Sequence, residues 1–254
     1  MKKTLAVLTL LAGAVSGYSQ GQVYIGDYGN SDFQITIWSP QVATPTVEVT
    51  GNSAANNVLT GTSDIPAGTT VYTGVPLGGS ATGATSPTDY ANGNLWSVQL
   101  YAAAGNNVAA SSLTAVPGTV ANFYTNPSAE GYAGLYNSTA AVTFNGANGT
   151  PTVAAGSPVT LALAAWYNGG GAYASYSAAQ AANVPTGFST TGTENTAGAP
   201  NTPPDLPAPG ASQTLAGGIT SFSLTAPATT PEPSTIALGI MGASAFLMRL
   251  RRKS

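Results

Sequence analysis

Short runs in which apolar and polar residues alternate constrain the fold of this chain more than any other sequence feature. Successive side chains of a β-strand point to opposite faces of a sheet, so period-two runs are typical of strands. Residues 95–103 are the clearest run and would place Trp96 and Leu100 on one face. The other runs are residues 23–25, 33–38, 46–50, 140–144, 158–167 and 219–225. No stretch from 20 to 225 has a clear helical period, which predicts an all-β body.

Turn residues separate these runs at short intervals. Examples are Asn92-Gly93 and the glycine run Gly169-Gly170-Gly171. Seven to ten strands at this spacing favour an antiparallel β-sandwich or a jelly-roll-like fold for residues 20–226. Within this body, the Ala-rich residues 174–183 predict a short helix or turn, and the Pro-rich residues 199–210 predict an extended surface loop.

Every Lys and Arg lies near one of the two ends of the sequence. The six are Lys2, Lys3, Arg249, Arg251, Arg252 and Lys253, whereas the nine acids are spread along the chain. Nucleic-acid binding requires basic side chains that displace counterions from phosphates, and residues 4–248 contain none. The sequence therefore predicts that the body has no nucleic-acid partner.

The chain contains no His and no Cys, which limits the catalysis available to it. Serine and cysteine nucleophiles activated by His are excluded. The acids are isolated and mostly beside turn residues, so we expect solvated carboxylates rather than a catalytic pair. Residues 27–32 offer oxygen ligands but do not match the EF-hand spacing. We predict no enzyme activity, cofactor or metal; a two-carboxylate glycoside hydrolase is the weakest alternative.

Residues 1–19 have the order of a secretory signal peptide. Lys2 and Lys3 precede an apolar run at residues 5–15, and small residues follow it. This order predicts export through the Sec translocon and removal by signal peptidase, with a cut after Ser19 and a cut after Gly17 as the alternative.

Residues 227–254 have three parts in a fixed order. A short linker contains Pro231, Glu232 and Pro233; an apolar segment follows at 235–248; the basic end at 249–254 carries Arg249, Arg251, Arg252 and Lys253. The apolar segment predicts a single transmembrane helix, about 21 Å long at 1.5 Å per residue. The basic end would act as a cytoplasmic stop, which leaves the body outside.

The residues from Thr230 onward resemble the PEP-CTERM sorting domain of Gram-negative bacteria, especially its Verrucomicrobia-like group. The resemblance is carried by Pro231-Glu232-Pro233, the short apolar segment and the Arg-rich end. It implies recognition by an exosortase, cleavage near the motif and transfer from a transient inner-membrane anchor to the cell surface or beyond. It also implies a role in an exopolysaccharide or biofilm matrix.

Aromatic residues after the run 158–167 give the best candidate for a ligand site. Trp166, Tyr173 and Tyr176 flank the glycine run, and flat aromatic faces are suited to stacking on sugars. The sequence thus predicts a structural or interaction protein of the extracellular matrix. The alternative is a carbohydrate-binding module for the polysaccharide of the producing cell.

Overall fold

The computed structural model describes residues 20–26, 34–54, 64, 66–81, 83, 85–125, 133–136, 141–198, 201–207, 214–227 and 241. The predicted signal peptide, the 27–32 loop, the Pro231-Glu232-Pro233 motif and the basic end at 249–254 lie outside these residues. The predicted transmembrane segment also lies outside them, apart from Met241. Within the part that is described, no helix is both long and apolar enough to cross a membrane.

The described residues form eleven strands, one α-helix and three short 3-10 turns. The strands are β1 Gly21–Tyr24, β2 Ile37–Trp38, β3 Trp96–Ala104, β4 Thr114–Ala115, β5 Ala121–Asn122, β6 Ala141–Phe144, β7 Pro158–Tyr167, β8 Thr186–Phe188, β9 Gly192–Asn195, β10 Thr214–Gly217 and β11 Phe222–Ser223. The helix is α1 Tyr176–Ala181, and the 3-10 turns are Gly93–Leu95, Ala110–Ser112 and Ala147–Gly149. The described chain is therefore predominantly β, as predicted.

Seven of these described strands form one large sheet. Its order is β10-β9-β7-β3-β4, with β5 also paired to β3 and β8 to β7. Every pairing within it is antiparallel. Two further pairs complete the described strands: β1 with β6 is antiparallel, and β2 with β11 is parallel.

The centre of the large sheet is the pairing of β3 with β7. It runs along all nine residues of β3, from Trp96 opposite Tyr167 to Ala104 opposite Val159. Every residue of β7 except Pro158 is buried, so both faces of this strand are covered. Full burial of a large apolar side chain contributes about 1.5–3 kcal/mol, which makes this pair the main apolar contribution to the fold.

A single large core lies on one face of β3 and β7. Trp96, Leu100 and Leu163 pack there against side chains from the two separate pairs. Those side chains are Val23, Ile37, Val142, Phe144 and Phe222. On the other face of β7, α1 packs over the strand. The two faces of β7 therefore have different surroundings.

Four predicted strands are confirmed with small shifts. The runs at 23–25, 95–103, 140–144 and 158–167 correspond to β1, β3, β6 and β7. The predicted short helix within 174–183 is α1, whose first turn is capped by the Ser175 side chain accepting from Ala178 N.

The predicted strand at residues 46–50 is wrong. This segment has an isolated bridge from Thr50 to Phe222, and Val47 is 52% exposed. The backbone N–H of Val49 donates to the side chain of Ser223 (3.0 Å), while its carbonyl accepts from Ser223 N (2.9 Å), and the pairing extends no further into residues 46–48. Runs 33–38 and 219–225 also shorten, to the two-residue strands β2 and β11.

The predicted surface loop at 199–210 is corrected over its described residues. Residues 201–207 have no helix or strand, but Pro204, Leu206 and Pro207 are buried. The carbonyls of Pro204 and Pro207 accept from Tyr24 N and Ile219 N, each at 2.7 Å. A proline has no N–H to donate but keeps its carbonyl as an acceptor, and through these two bonds the segment becomes part of the packed body.

The expectation that the acids are solvated is also wrong for several of them. Asp64 is 1% exposed and Glu194 is 2% exposed, while Glu48 is half-buried. Burial of a carboxyl group is costly unless other groups bond to it. The partners of these acids therefore bear on both stability and function.

Candidate functional site

Trp166, the first residue of the predicted sugar site, belongs to the interior. Its side chain is 0% exposed, so its ring is not available to stack on a ligand. The indole N–H donates to the carbonyl oxygen of Tyr173 at 2.8 Å. Trp166 therefore anchors the loop that follows β7, and its assignment as a binding residue is corrected.

Asn168 shapes the glycine turn that leads to Tyr173. Its side-chain oxygen accepts from Gly170 N at 2.8 Å, and its side-chain nitrogen donates to Asn94 O and Ser97 Oγ. The three glycines of this turn have φ values of 62°, 69° and 102°, in the left-handed region that side chains other than glycine rarely adopt. The predicted turn is thus confirmed, and its backbone conformation requires glycine at all three positions.

Tyr173 packs on the face of the sheet that carries the main core. Its ring lies 6.2 Å from that of Tyr167, measured between centroids. Tyr167 pairs with Trp96 across the strands, and its hydroxyl donates to Thr85 O at 2.8 Å. Tyr173 is half-buried at the edge of this core.

Tyr176 lies on the opposite side of the sheet. It is the first residue of α1, and its ring contacts those of Tyr101 and Phe188. Tyr101 lies five positions after Trp96 on β3, and side chains an odd number of positions apart point to opposite faces. The structure therefore separates Tyr173 from Tyr176, and the predicted three-residue aromatic site is not formed.

Tyr176 instead belongs to a group of three rings that we call the Tyr–Phe cluster: Tyr101, Tyr176 and Phe188. Their centroids lie 5.3 Å (Tyr101–Phe188), 5.9 Å (Tyr176–Phe188) and 6.0 Å (Tyr101–Tyr176) apart. Both contacts of Tyr101 are edge-to-face, at 77° and 74°. Each ring is half-buried, so the cluster retains a surface toward solvent.

Glu48 borders the Tyr–Phe cluster. Its Oε1 accepts from the backbone N–H of Phe188 at 2.8 Å. Burial raises the pKa of Glu48 to about 7, and the bond from Phe188 opposes that rise. The Glu48 charge also contributes to the raised pKa of Tyr176, so these two side chains are close enough to interact.

The phenols around Glu48 remain uncharged near neutral pH. Burial raises the pKa of Tyr176 to about 12 and raises that of Tyr101 in the same direction. Glu48 is thus the group of this site that changes charge near pH 7. Three half-buried rings beside one carboxyl group form a surface with both stacking faces and a hydrogen-bond acceptor.

A second perturbed carboxyl group belongs to Glu194 on β9. Burial raises its pKa to about 7; a bond from Asn195 N to Oε1 lowers it, and the charge of Asp205 raises it. Two neighbouring carboxyl groups are the elements of acid–base hydrolysis. However, Glu194 is only 2% exposed, which leaves a substrate little access to it.

In the described part of the chain, no group of three or more metal-ligating side chains could hold a metal ion.

Comparison with known proteins does not assign this chain to a family. No family model matches the sequence, and no curated protein or solved structure is significantly similar to it. Membership in the PEP-CTERM family therefore stays a prediction from the sequence.

Sequence reasoning identified Tyr176 but missed Tyr101, Phe188 and Glu48. Tyr101 was placed correctly on a strand, yet nothing near it in the sequence indicates its ring partners. Phe188 lies 87 positions later, and Glu48 lies 140 positions before Phe188. The one available signal was Tyr101 itself, an aromatic residue on the polar face of an alternating run.

Proposed function

We propose that this chain is an exported protein, sorted by an exosortase, with a structural or interaction role in an exopolysaccharide or biofilm matrix. The observation that carries the proposal is the charge map: all six basic residues belong to the two predicted sorting segments. Signal peptidase, the Sec translocon and the exosortase are the processing partners. The inner membrane holds the chain transiently, and the cell surface or the extracellular space is its destination.

The architecture is compatible with this role. One core joins the large sheet to the β1–β6 and β2–β11 pairs, and on this basis we propose a sandwich-like or jelly-roll-like body. The body carries no His, Cys, Lys or Arg, and we propose that it has no catalytic activity of its own.

The sorting proposal predicts a defined mass for the mature protein. Material recovered outside the producing cells should lack residues 1–19 and the segment that follows the Pro231-Glu232-Pro233 motif. Intact-mass spectrometry of the secreted fraction measures both ends at once. The variant Pro231→Ala/Glu232→Ala/Pro233→Ala should retain the tail and stay in the membrane fraction. Full-length tails on secreted wild-type protein would contradict the proposal.

The alternative function is a carbohydrate-binding module, and the Tyr–Phe cluster favours it over a purely structural role. Half-buried rings present apolar surface suited to the C–H faces of sugars, and Glu48 accepts hydrogen bonds from hydroxyl groups. The candidate sugar-binding residues are therefore Tyr101, Tyr176, Phe188 and Glu48. They replace the set predicted from the sequence, Trp166, Tyr173 and Tyr176.

This alternative predicts which tyrosine matters for binding to the polysaccharide of the producing cell. Replacing a stacking ring removes about 1–3 kcal/mol of binding, on the scale of base–aromatic stacking, which corresponds to roughly 5- to 150-fold in affinity. Tyr101→Ala should therefore weaken retention in a pull-down or affinity gel. Tyr173→Ala is the matched control and should bind as the wild type does. Equal loss in both variants would argue against the reassigned site.

Weak glycoside hydrolysis is the least favoured function. Its candidate residues would be Glu194 as acid and Asp205 as base, but Glu194 is only 2% exposed. Release of reducing ends from a panel of glycans would revive this possibility.

A further inference from the structure

We propose that Glu48 and the Tyr–Phe cluster bind a protonated amine carried by a saccharide, such as a polymer of hexosamines with free amino groups. The inference rests on the proposed association with polysaccharide and specifies the chemistry that the site would select. It differs from general sugar binding because the amine, and not the hydroxyl groups, would be the feature recognised.

The body of the chain contains no basic side chain. Residues 4–248 contain no Lys or Arg, and the chain has no His, so the body itself cannot neutralise an ionised Glu48. Among the described contacts, Phe188 N donates to Oε1. A half-buried carboxylate with one backbone donor and no cation is incompletely compensated. An ammonium group from a ligand would supply the missing charge.

Aromatic rings also lie beside that carboxylate. Tyr101 comes from β3, Tyr176 from α1 and Phe188 from β8, so three elements converge at the position of Glu48. Aromatic faces attract cations, and the attraction strengthens where water is displaced. Because the centroids lie at most 6.0 Å apart, the rings pack on one another, and a ligand would approach their solvent side.

Two other titratable groups interact with Glu48: Tyr176 on α1, and Tyr72, whose raised pKa arises from burial and from the charges of Asp64 and Glu48. Tyr101 on β3 contacts Tyr176, and burial raises its pKa. All three phenols are neutral between pH 5 and 8, so none changes charge over the range in which Glu48 titrates. Binding of a permanently charged cation would require ionised Glu48 and should strengthen as pH rises, whereas a neutral sugar could also bind the protonated acid.

Calorimetric titration of the purified chain can separate these cases. At pH 7, oligomers of glucosamine should bind at least about tenfold more tightly than oligomers of N-acetylglucosamine, whose nitrogen is uncharged. Tetramethylammonium keeps its charge at every pH, and its affinity should rise about tenfold or more from pH 5.5 to pH 8.

Two variants test the residues. Glu48→Gln removes the charge and should abolish the preference for the amine; Glu194→Gln removes a carboxyl group of similar pKa elsewhere and should preserve it. If Glu48→Gln fails to fold, Tyr176→Leu and Tyr176→Phe decide instead: the first should lose binding and the second should retain it.

The possible results are distinguishable. Equal affinity for both oligomers, unaffected by Glu48→Gln, would overturn the amine inference and leave polysaccharide binding in place. Failure of glucosamine oligomers and tetramethylammonium to bind would also overturn it. Neither result bears on sorting, which the mass of the secreted protein tests separately.

Discussion

Lowering the pH from 8 to 5 should raise the melting temperature of the body by roughly 4–16 °C, as one buried and one half-buried carboxyl group take up protons. Glu48 and Glu194 each have a pKa of about 7 in the folded chain, against an ordinary value of 4.5. The folded state therefore binds more protons than the unfolded state between these two values. Since the pKa is raised, the stabilisation is fully present below pH 4.5 and is lost as pH rises through 7.

The size of this effect follows from the two shifts. One pKa unit corresponds to about 1.4 kcal/mol, so each group alone would contribute up to about 2.5 kcal/mol between pH 8 and pH 5. Glu48 is partly exposed, and solvent screens its share. We therefore expect the free energy of unfolding to rise by about 2–4 kcal/mol in total. For a domain of this size, each kcal/mol raises the melting temperature by about 2–4 °C.

Thermal unfolding followed by circular dichroism at several pH values measures this dependence. The variant Glu48→Gln/Glu194→Gln carries neutral amides at both positions, so its melting temperature should change much less over the same range. Each single variant should remove part of the dependence of the melting temperature on pH. A wild-type protein that is equally stable at pH 5 and 8, or more stable at pH 8, would show that these carboxyl groups are better solvated than the structure indicates.

The central strands could be predicted from sequence because their information is local. β3 and β7 are long, apolar and alternating, and they need no distant residue to be recognised. Short strands were missed for a physical reason: β8 has Gly187 at its centre. A Cβ at this position would lie 2.9 Å from Ser223 O, so glycine is required by close approach of the chain. Glycine in a strand interior obscures the alternation that reveals a strand.

The candidate site was less predictable than the sheet. Tyr101 and Tyr176 lie on elements that the sequence indicated, but Glu48 lies on a predicted strand that does not form. Its position depends on a bond to a residue 140 positions away. Burial of an acid by distant segments leaves no local pattern, and the same limit applies to Asp64.

Asp64 connects three distant segments of the body. Its Oδ1 accepts from Thr36 N (3.0 Å) and Ser221 Oγ (2.7 Å), and its Oδ2 accepts from Ser53 N (2.6 Å) and Ser53 Oγ (2.5 Å). Ser221 lies 157 positions from Asp64 in the sequence. Ser53 and Ser221 are 0% exposed and Thr36 is 1% exposed. One side chain therefore accepts hydrogen bonds from four buried donors, next to strands β2 and β11, which are only two residues long.

Asp64→Ala should lower the free energy of unfolding by about 3–5 kcal/mol, because it leaves Ser53 N, Ser53 Oγ and Ser221 Oγ without this acceptor. Thr36 N keeps a second acceptor, Ser221 Oγ, at 2.8 Å. Asp64→Asn should cost less but still destabilise, since its amide NH2 would face donors that need an acceptor. The matched control is Asp205→Ala, which removes an acid outside this network and should change stability by less than about 1 kcal/mol.

Urea unfolding followed by tryptophan fluorescence measures these differences as shifts in midpoint at constant slope. A loss below about 1 kcal/mol for Asp64→Ala would mean that water or rearranged backbone satisfies Ser53 and Ser221 once the carboxyl group is gone. The expected loss would instead identify Asp64 as the residue that fixes β2 and β11 to the 51–54 segment. That role explains how two-residue strands persist where the alternating pattern alone predicted longer ones.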